Sequence, residues 1–302
     1  MCPVARYSDD EMDKSSRQHL RETINDAWKE VYKQLGRNKA SPLNDDDFLR
    51  AHWILYYKYS RKTGQDYIEF LLNEQFTPQR IHKKVEREVV LEVPRESRDE
   101  DASSDEDEGQ SHADDGAVTT VSRADLSPTE IRDYVLSLKT CAVHWFDSFF
   151  PSLADTLTTE ERRWLDALNR IGISYFRPLV MALLKFKFSP EERSRAFQEI
   201  ERFIFIVFRM NVEQANYGSS EFYRMVRSLD RGEVDINHLI ECLADSLKYA
   251  FENPSGVFKT ANFLTRCERR LNSGDGFYKW GALHYFLFEY EWGLLSERTT
   301  CT

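Results

Sequence analysis

Turn-making residues are scarce. Only 12 glycines and 9 prolines occur in 302 residues, too few for a many-turned β fold and well suited to long helices. The five cysteines, Cys2, Cys141, Cys242, Cys267 and Cys301, are odd in number and scattered. That argues against a disulfide framework and for the reduced thiols of a cytoplasmic protein. No stretch approaches the roughly 20 consecutive apolar residues that span a bilayer, so no membrane partner is expected. The opening MCPVARYSDDEMD has no apolar h-region, and no secretory signal is read there. Signatures of catalysis are missing too. There is no GxxxxGK[ST] phosphate loop, no GxGxxG and no GxSxG nucleophile elbow. No cofactor and no catalytic residue are therefore assigned.

What is plentiful is apolar and aromatic surface, 41% and 13% of the chain, ample for a large core. The formal charge of −10 is concentrated in one place. Residues Arg95 to Gly116 hold ten acids against two arginines, which is eight of those ten negative charges. The rest of the chain is close to neutral and does not advertise nucleic acid. The same stretch, RESRDEDASSDEDEGQSHADDG, has no aromatic and no large aliphatic residue. It cannot bury enough surface to order itself, so residues 94–121 are expected to form a disordered acidic loop.

The remainder reads as helices. Asp13 or Ser15 opens the first, carrying Leu20, Ile24, Ala27, Val31 and Leu35 and stopped by Gly36. Asn44 caps the second, with Asp45, Asp46 and Asp47 at its dipole-favoured end. A short helix follows over Asp66 to Gln75, and Thr77-Pro78 opens another that runs through Ile81 and Val85 toward Val93. Ser127-Pro128-Thr129-Glu130 and Ser189-Pro190-Glu191-Glu192 are full N-terminal signals: a serine cap, proline at the first position and glutamate at the capping-box position. The run FIFIVF, 203–208, could be a buried strand. The capping box ahead of it and the 3.6-residue period of Phe197, Ile200, Phe203, Ile204 and Val207 decide for helix. Gly172 is a plausible stop for the helix before it. The last helix, Phe277 to Leu295, is apolar on nearly every side. One of its faces is expected to stay open, with Phe288 and Trp292 near the edge. The fold expected is all-α, an irregular multi-helix bundle with an acidic insertion. Its parts are an N-terminal helical segment, 1–93, the loop, 94–121, and a C-terminal bundle, 122–302, packed with the first segment or separate from it.

Candidate site residues are few. Cys141 and His144 lie at i,i+3, and His238 and Cys242 at i,i+4. Were the two helices to meet, these four could form a Cys2His2 zinc set. Taken singly, they are small core thiols and ordinary helix histidines, and no metal is assigned. His284, Glu289 and Glu291 sit on the last helix with no nucleophile or metal motif nearby, and read as polar groups of a bundle or as contacts to another domain. Arg193, Arg195, Arg202, Arg224 and Arg227 are the best candidates for DNA contact, although glutamates interleaved with them favour a solvated helix face.

Four segments carry a family resemblance. They are Leu43 to Phe76 (beginning LNDDDFLRAHWILYYKYSRKTGQDYIEFLL), Tyr175 to Leu184 (YFRPLVMALL), Phe203 to Tyr223 (FIFIVFRMNVEQANYGSSEFY) and Phe277 to Glu291 (FYKWGALHYFLFEYE). In this order they resemble the helical middle of the GmrSD-type modification-dependent restriction and phage-defence proteins. Members of that family place a ParB/sulfiredoxin-like nucleotide-hydrolysing domain before such a region and an HNH-type nuclease domain after it. The first domain's Asp-Gly-Gln-Gln-Arg signature does not occur here, and the His-containing motif expected after the last helix is not found in SERTTCT. No catalytic residue carries over. The resemblance implies a non-catalytic helical scaffold or fragment that links the nucleotide-hydrolysing and nuclease parts. A nuclease domain or subunit would meet its C-terminal helix, and DNA is a weaker second partner. The alternative is a stand-alone hydrolase or nuclease with an unrecognised active site, which requires a convergent pocket of acids and histidines.

Overall fold

A computed structural model describes residues 12–58, 66–90, 118–210, 219–252, 260–274 and 276–300. The protein is all-α, a multi-helix bundle with one two-stranded antiparallel ribbon. It divides into two compact units, the described parts of Met1–Thr23 with Ile68–Asp133 and of Ile24–Tyr67 with Tyr134–Thr302.

In the first unit a π-turn, Phe70–Gln75, leads to the short helix Pro78–His82. Thr77 caps that helix by accepting from the Arg80 N–H at 3.3 Å. Arg80 then gathers the neighbouring chain. Its Nε donates to Asp125 at 2.8 Å and its Nη1 to the Gln75 carbonyl at 3.2 Å. Helix was expected to continue through Val85 toward Val93. Instead Lys83 turns extended, at φ −73° and ψ 117°, and Lys84–Val90 becomes strand β1, paired antiparallel with β2, Val118–Ala124. The register runs from Lys84↔Ala124 to Val90↔Val118. The pairing with β2 decides it, and the β-branched residues, valines on β1 and valines and threonines on β2, suit a pleated ladder better than a helix. β2 begins at Val118, inside the stretch expected to be loop, while residues 91–117 lie outside those described.

The second unit contains most of the core. Its helices are α2 (Asp45–Tyr56), α5 (Pro128–Phe149, in this unit from Tyr134), α6 (Thr159–Ile171), α7 (Arg177–Lys185), α8 (Pro190–Phe203), α9 (Ser219–Asp230), α10 (Ile236–Glu252), α11 (Thr260–Leu271) and α12 (Leu283–Thr300), where α1 is Lys14–Leu35 and α3 and α4 are Tyr67–Glu69 and Pro78–His82. α7 is central. Every residue from Arg177 to Leu184 is buried, and α2 and α9 pack against it. α8 lies between α6 and α10. Phe176, Phe203 and Phe222 form an edge-to-face aromatic cluster with centroids 4.9–5.6 Å apart. Asn44 and Ser189 cap as expected, and Ser189 and Glu192 make a reciprocal capping box. Gly172 ends α6 with φ +89°, a left-handed conformation that disfavours a side chain.

The run after Phe203 is not an ordinary helix. Ile204–Met210 winds as a π-helix, a wider turn that buries Ile204, Val207 and Phe208 and brings Phe205 against Trp280, Tyr285 and Phe286. The final helix also starts later than expected, at Leu283 in place of Phe277. The Trp280 indole donates to the Arg209 carbonyl at 3.0 Å, and the preceding residues take up tight turns, with Trp280 N–H to Phe277 O and Leu283 N–H to Trp280 O.

Candidate functional site

The five arginines considered for DNA contact separate by environment. Arg193 is mostly buried. Its Nε donates to Glu161 at 2.6 Å and its Nη1 to the Phe188 carbonyl at 2.8 Å. Glu161 is 0% exposed, and its other oxygen accepts from the Thr158 N–H at 2.8 Å in the capping box of α6. Arg193 is therefore committed to joining α6 and α8. Arg195, Arg202 and Arg224 are exposed. Arg202 meets Glu199 only at 3.9 Å, and Arg224 donates to the Ser220 carbonyl at 3.0 Å. Arg227 is half-buried, and burial with the Arg231 charge beside it lowers its pKa.

The zinc candidates remain two local pairs. Cys141 is fully buried on α5, and burial pushes its thiol up to about 12, which disfavours the thiolate a zinc ion requires. His144 is held down at about 4 by burial, with Lys185 and Arg193 adding. His238 Nε2 and Cys242 Sγ lie 3.5 Å apart on α10. Among the described residues no three His, Cys, Asp or Glu side chains gather in a way that could hold an ion. On α12, His284 and Glu291 are exposed, while Glu289 pairs with Arg170 at 2.6 Å.

Two other features stand out in the second unit. The first is a cleft of about 500 Å³ at the start of α7, walled by Trp145, Phe149, Tyr175 and Tyr223, with Asp47 and Arg50 of α2 and Arg177 of α7. Arg177 is only 8% exposed. Its Nη1 donates to the Ser148 carbonyl at 3.0 Å and its Nη2 to Asn169 Oδ1 at 3.0 Å. The guanidinium lies 3.5 Å over the Phe149 ring. Among the described residues no carboxylate pairs with it. Burial lowers its pKa to about 9, so the group stays charged at neutral pH. Asn169 Nδ2 also donates to the carbonyls of Ser148 and Phe149 at 3.1 and 3.2 Å. Arg177 and Asn169 thus complete the C-terminal end of α5, where the helix dipole favours a cation. Sequence reading missed Arg177. The signal was there: it is the only charge in the YFRPLVMALL run.

The second feature is α12. Polar contacts fasten one side of it. Tyr285 Oη donates to Glu201 at 2.5 Å, and Glu289 accepts from Arg170, whose guanidinium also lies 4.1 Å over Phe288. Burial holds the Glu201 carboxyl above its usual range. Seven large apolar side chains of the helix are exposed: Phe286, Leu287, Phe288, Tyr290, Trp292, Leu294 and Leu295. An apolar cavity of about 370 Å³ adjoins its start, formed by Phe205, Met210, Phe263, Phe277, Trp280 and Phe286. Among the described residues no helix is long and apolar enough to cross a membrane.

No known protein family, curated protein or solved structure matches the chain.

Proposed function

We propose that this chain is a helical scaffold of a GmrSD-like restriction or defence system, and that α12 docks a nuclease domain or subunit. The observation that carries the reading is the uncovered apolar face of α12. Seven large hydrophobic side chains on one helix stand exposed next to an apolar cavity. Exposed apolar surface of that extent marks an interaction site. The segments behind the family resemblance are also joined in space: α2 packs on α7, and the π-helix Ile204–Met210 holds the start of α12 through Arg209 and Phe205. Catalysis then belongs to the docked partner, and any DNA contact by this chain falls to Arg195, Arg202 and Arg224.

The test has two parts. The purified chain is assayed for metal-dependent DNA cleavage and nucleotide hydrolysis, and neither is expected. The chain is also recovered with its bound proteins from its native host. An HNH-type nuclease should accompany the wild type and be lost with Leu287→Glu/Leu294→Glu. Cleavage by the chain alone that disappears in His284→Ala or His144→Ala would overturn the scaffold role.

A further inference from the structure

The cleft at the start of α7 has chemistry that the docking role of α12 does not use. An arginine that is only 8% exposed normally meets a carboxylate, because an unpaired buried charge costs several kcal/mol. Arg177 instead meets three neutral acceptors, the Ser148 carbonyl, Ser148 Oγ and Asn169 Oδ1. The C-terminal end of α5 offsets about half an elementary charge. The remaining positive charge faces a cleft that holds a second arginine, Arg50, exposed on α2. Three of the five guanidinium hydrogens of Arg177 serve those acceptors, which leaves two for a ligand. Trp145, in the cleft wall, has a buried indole N–H with no acceptor among the described residues. Asp47, in the same wall, supplies an acceptor for ligand hydroxyl or amino groups.

These groups ask for three things in one ligand: a strong anion, a flat ring to lie among aromatic walls, and hydrogen-bond donors. We infer that the cleft binds a free mononucleotide, with its phosphate between Arg50 and Arg177 and its base against the aromatic wall. About 500 Å³ is within the range of small-molecule sites and accommodates one nucleotide. Arg–phosphate recognition supplies the charge-assisted bonds and ring stacking supplies the remainder.

The full chain is titrated calorimetrically with the four common nucleoside monophosphates, with the matching nucleosides and with inorganic phosphate. At least one monophosphate is expected to bind at least tenfold more tightly than its nucleoside and than phosphate, and to raise the melting temperature. Arg177→Gln should abolish this binding but removes a cap of α5, so it is paired with Arg50→Ala. Arg50 is exposed, and Arg50→Ala should leave the unliganded melting temperature unchanged while weakening binding about tenfold or more. Absence of binding by all four monophosphates at millimolar concentration overturns the inference. So does phosphate binding as tightly as any nucleotide, or nucleotide binding that Arg50→Ala leaves intact.

Discussion

Arg193→Ala removes the cation that, among the described residues, alone pairs with Glu161, a carboxylate fully buried at the start of α6. Leaving such a charge unpaired costs about 3 kcal/mol or more. Urea unfolding should show that loss, whereas Arg195→Ala, an exposed change, should stay within about 0.5 kcal/mol of wild type. Equal effects would place Arg193 among the surface arginines after all. A second residue predicts a pH response. His52 is fully buried, with Nε2 3.0 Å from Ser137 Oγ and its ring among Phe48, Tyr56 and Tyr134. Burial first, and the Lys185 charge second, hold its pKa down to about 3. The unfolded imidazole takes a proton near pH 6.5. Between those values the unfolded state binds more protons, so this stabilisation is complete above about pH 6.5 and is lost as pH falls toward 3. Asp147 works in the opposite sense. Burial raises it to about 6, so its folded-state penalty is relieved as pH falls from 6 toward the ordinary aspartate value. The difference between proteins isolates the histidine. His52→Gln should be less stable than wild type at pH 7.5 yet lose less stability on going to pH 5. Parallel losses would contradict the assignment.

At the scale of elements, Gly172 is the sharpest test of α6. A Cβ there would stand 2.6 Å from Nη2 of Arg209, and φ is +89°. Arg209 itself donates to the Ile171 carbonyl at 2.9 Å. Gly172→Ala should therefore cost about 1–3 kcal/mol in thermal or urea unfolding; a neutral result would mean that the turn relaxes freely. This stop was readable in the sequence, as were the caps Asn44, Thr77, Ser127 and Ser189, because a helix end is written in a few adjacent residues. Elements decided at a distance were not. Lys84–Val90 is a strand only because Val118–Ala124 pairs with it, and nothing local to Val85 announces that partner. The π-winding of Ile204–Met210 was equally hidden, since apolar residues on every side fit a wide turn as well as a narrow one. In the cleft, nothing adjacent to Arg177 in sequence announces that it is buried. Its burial comes from α5 and α6, which supply Ser148 and Asn169. The open face of α12 was legible, including Phe288 and Trp292, because a helix apolar all round cannot hide every side behind one neighbour.

For the whole molecule, the core and the exposed surface point to different tasks. The core is packed by its own chain: α7 is buried along nearly its whole length, and α6, α8 and α10 pack in series. The surface of α12 is not. Substitutions on its exposed face should change association while leaving unfolding nearly unaltered, the reverse of what Arg193→Ala and Gly172→Ala should do. The most direct measurement is light scattering with hydrophobic-dye fluorescence on the purified chain over a range of concentrations, beside Leu287→Glu/Leu294→Glu. The wild type should bind dye and self-associate as concentration rises, and the variant should do neither while melting within a few degrees of wild type. A wild-type chain that stays a clean monomer at high concentration and binds no dye would contradict the docking role of α12.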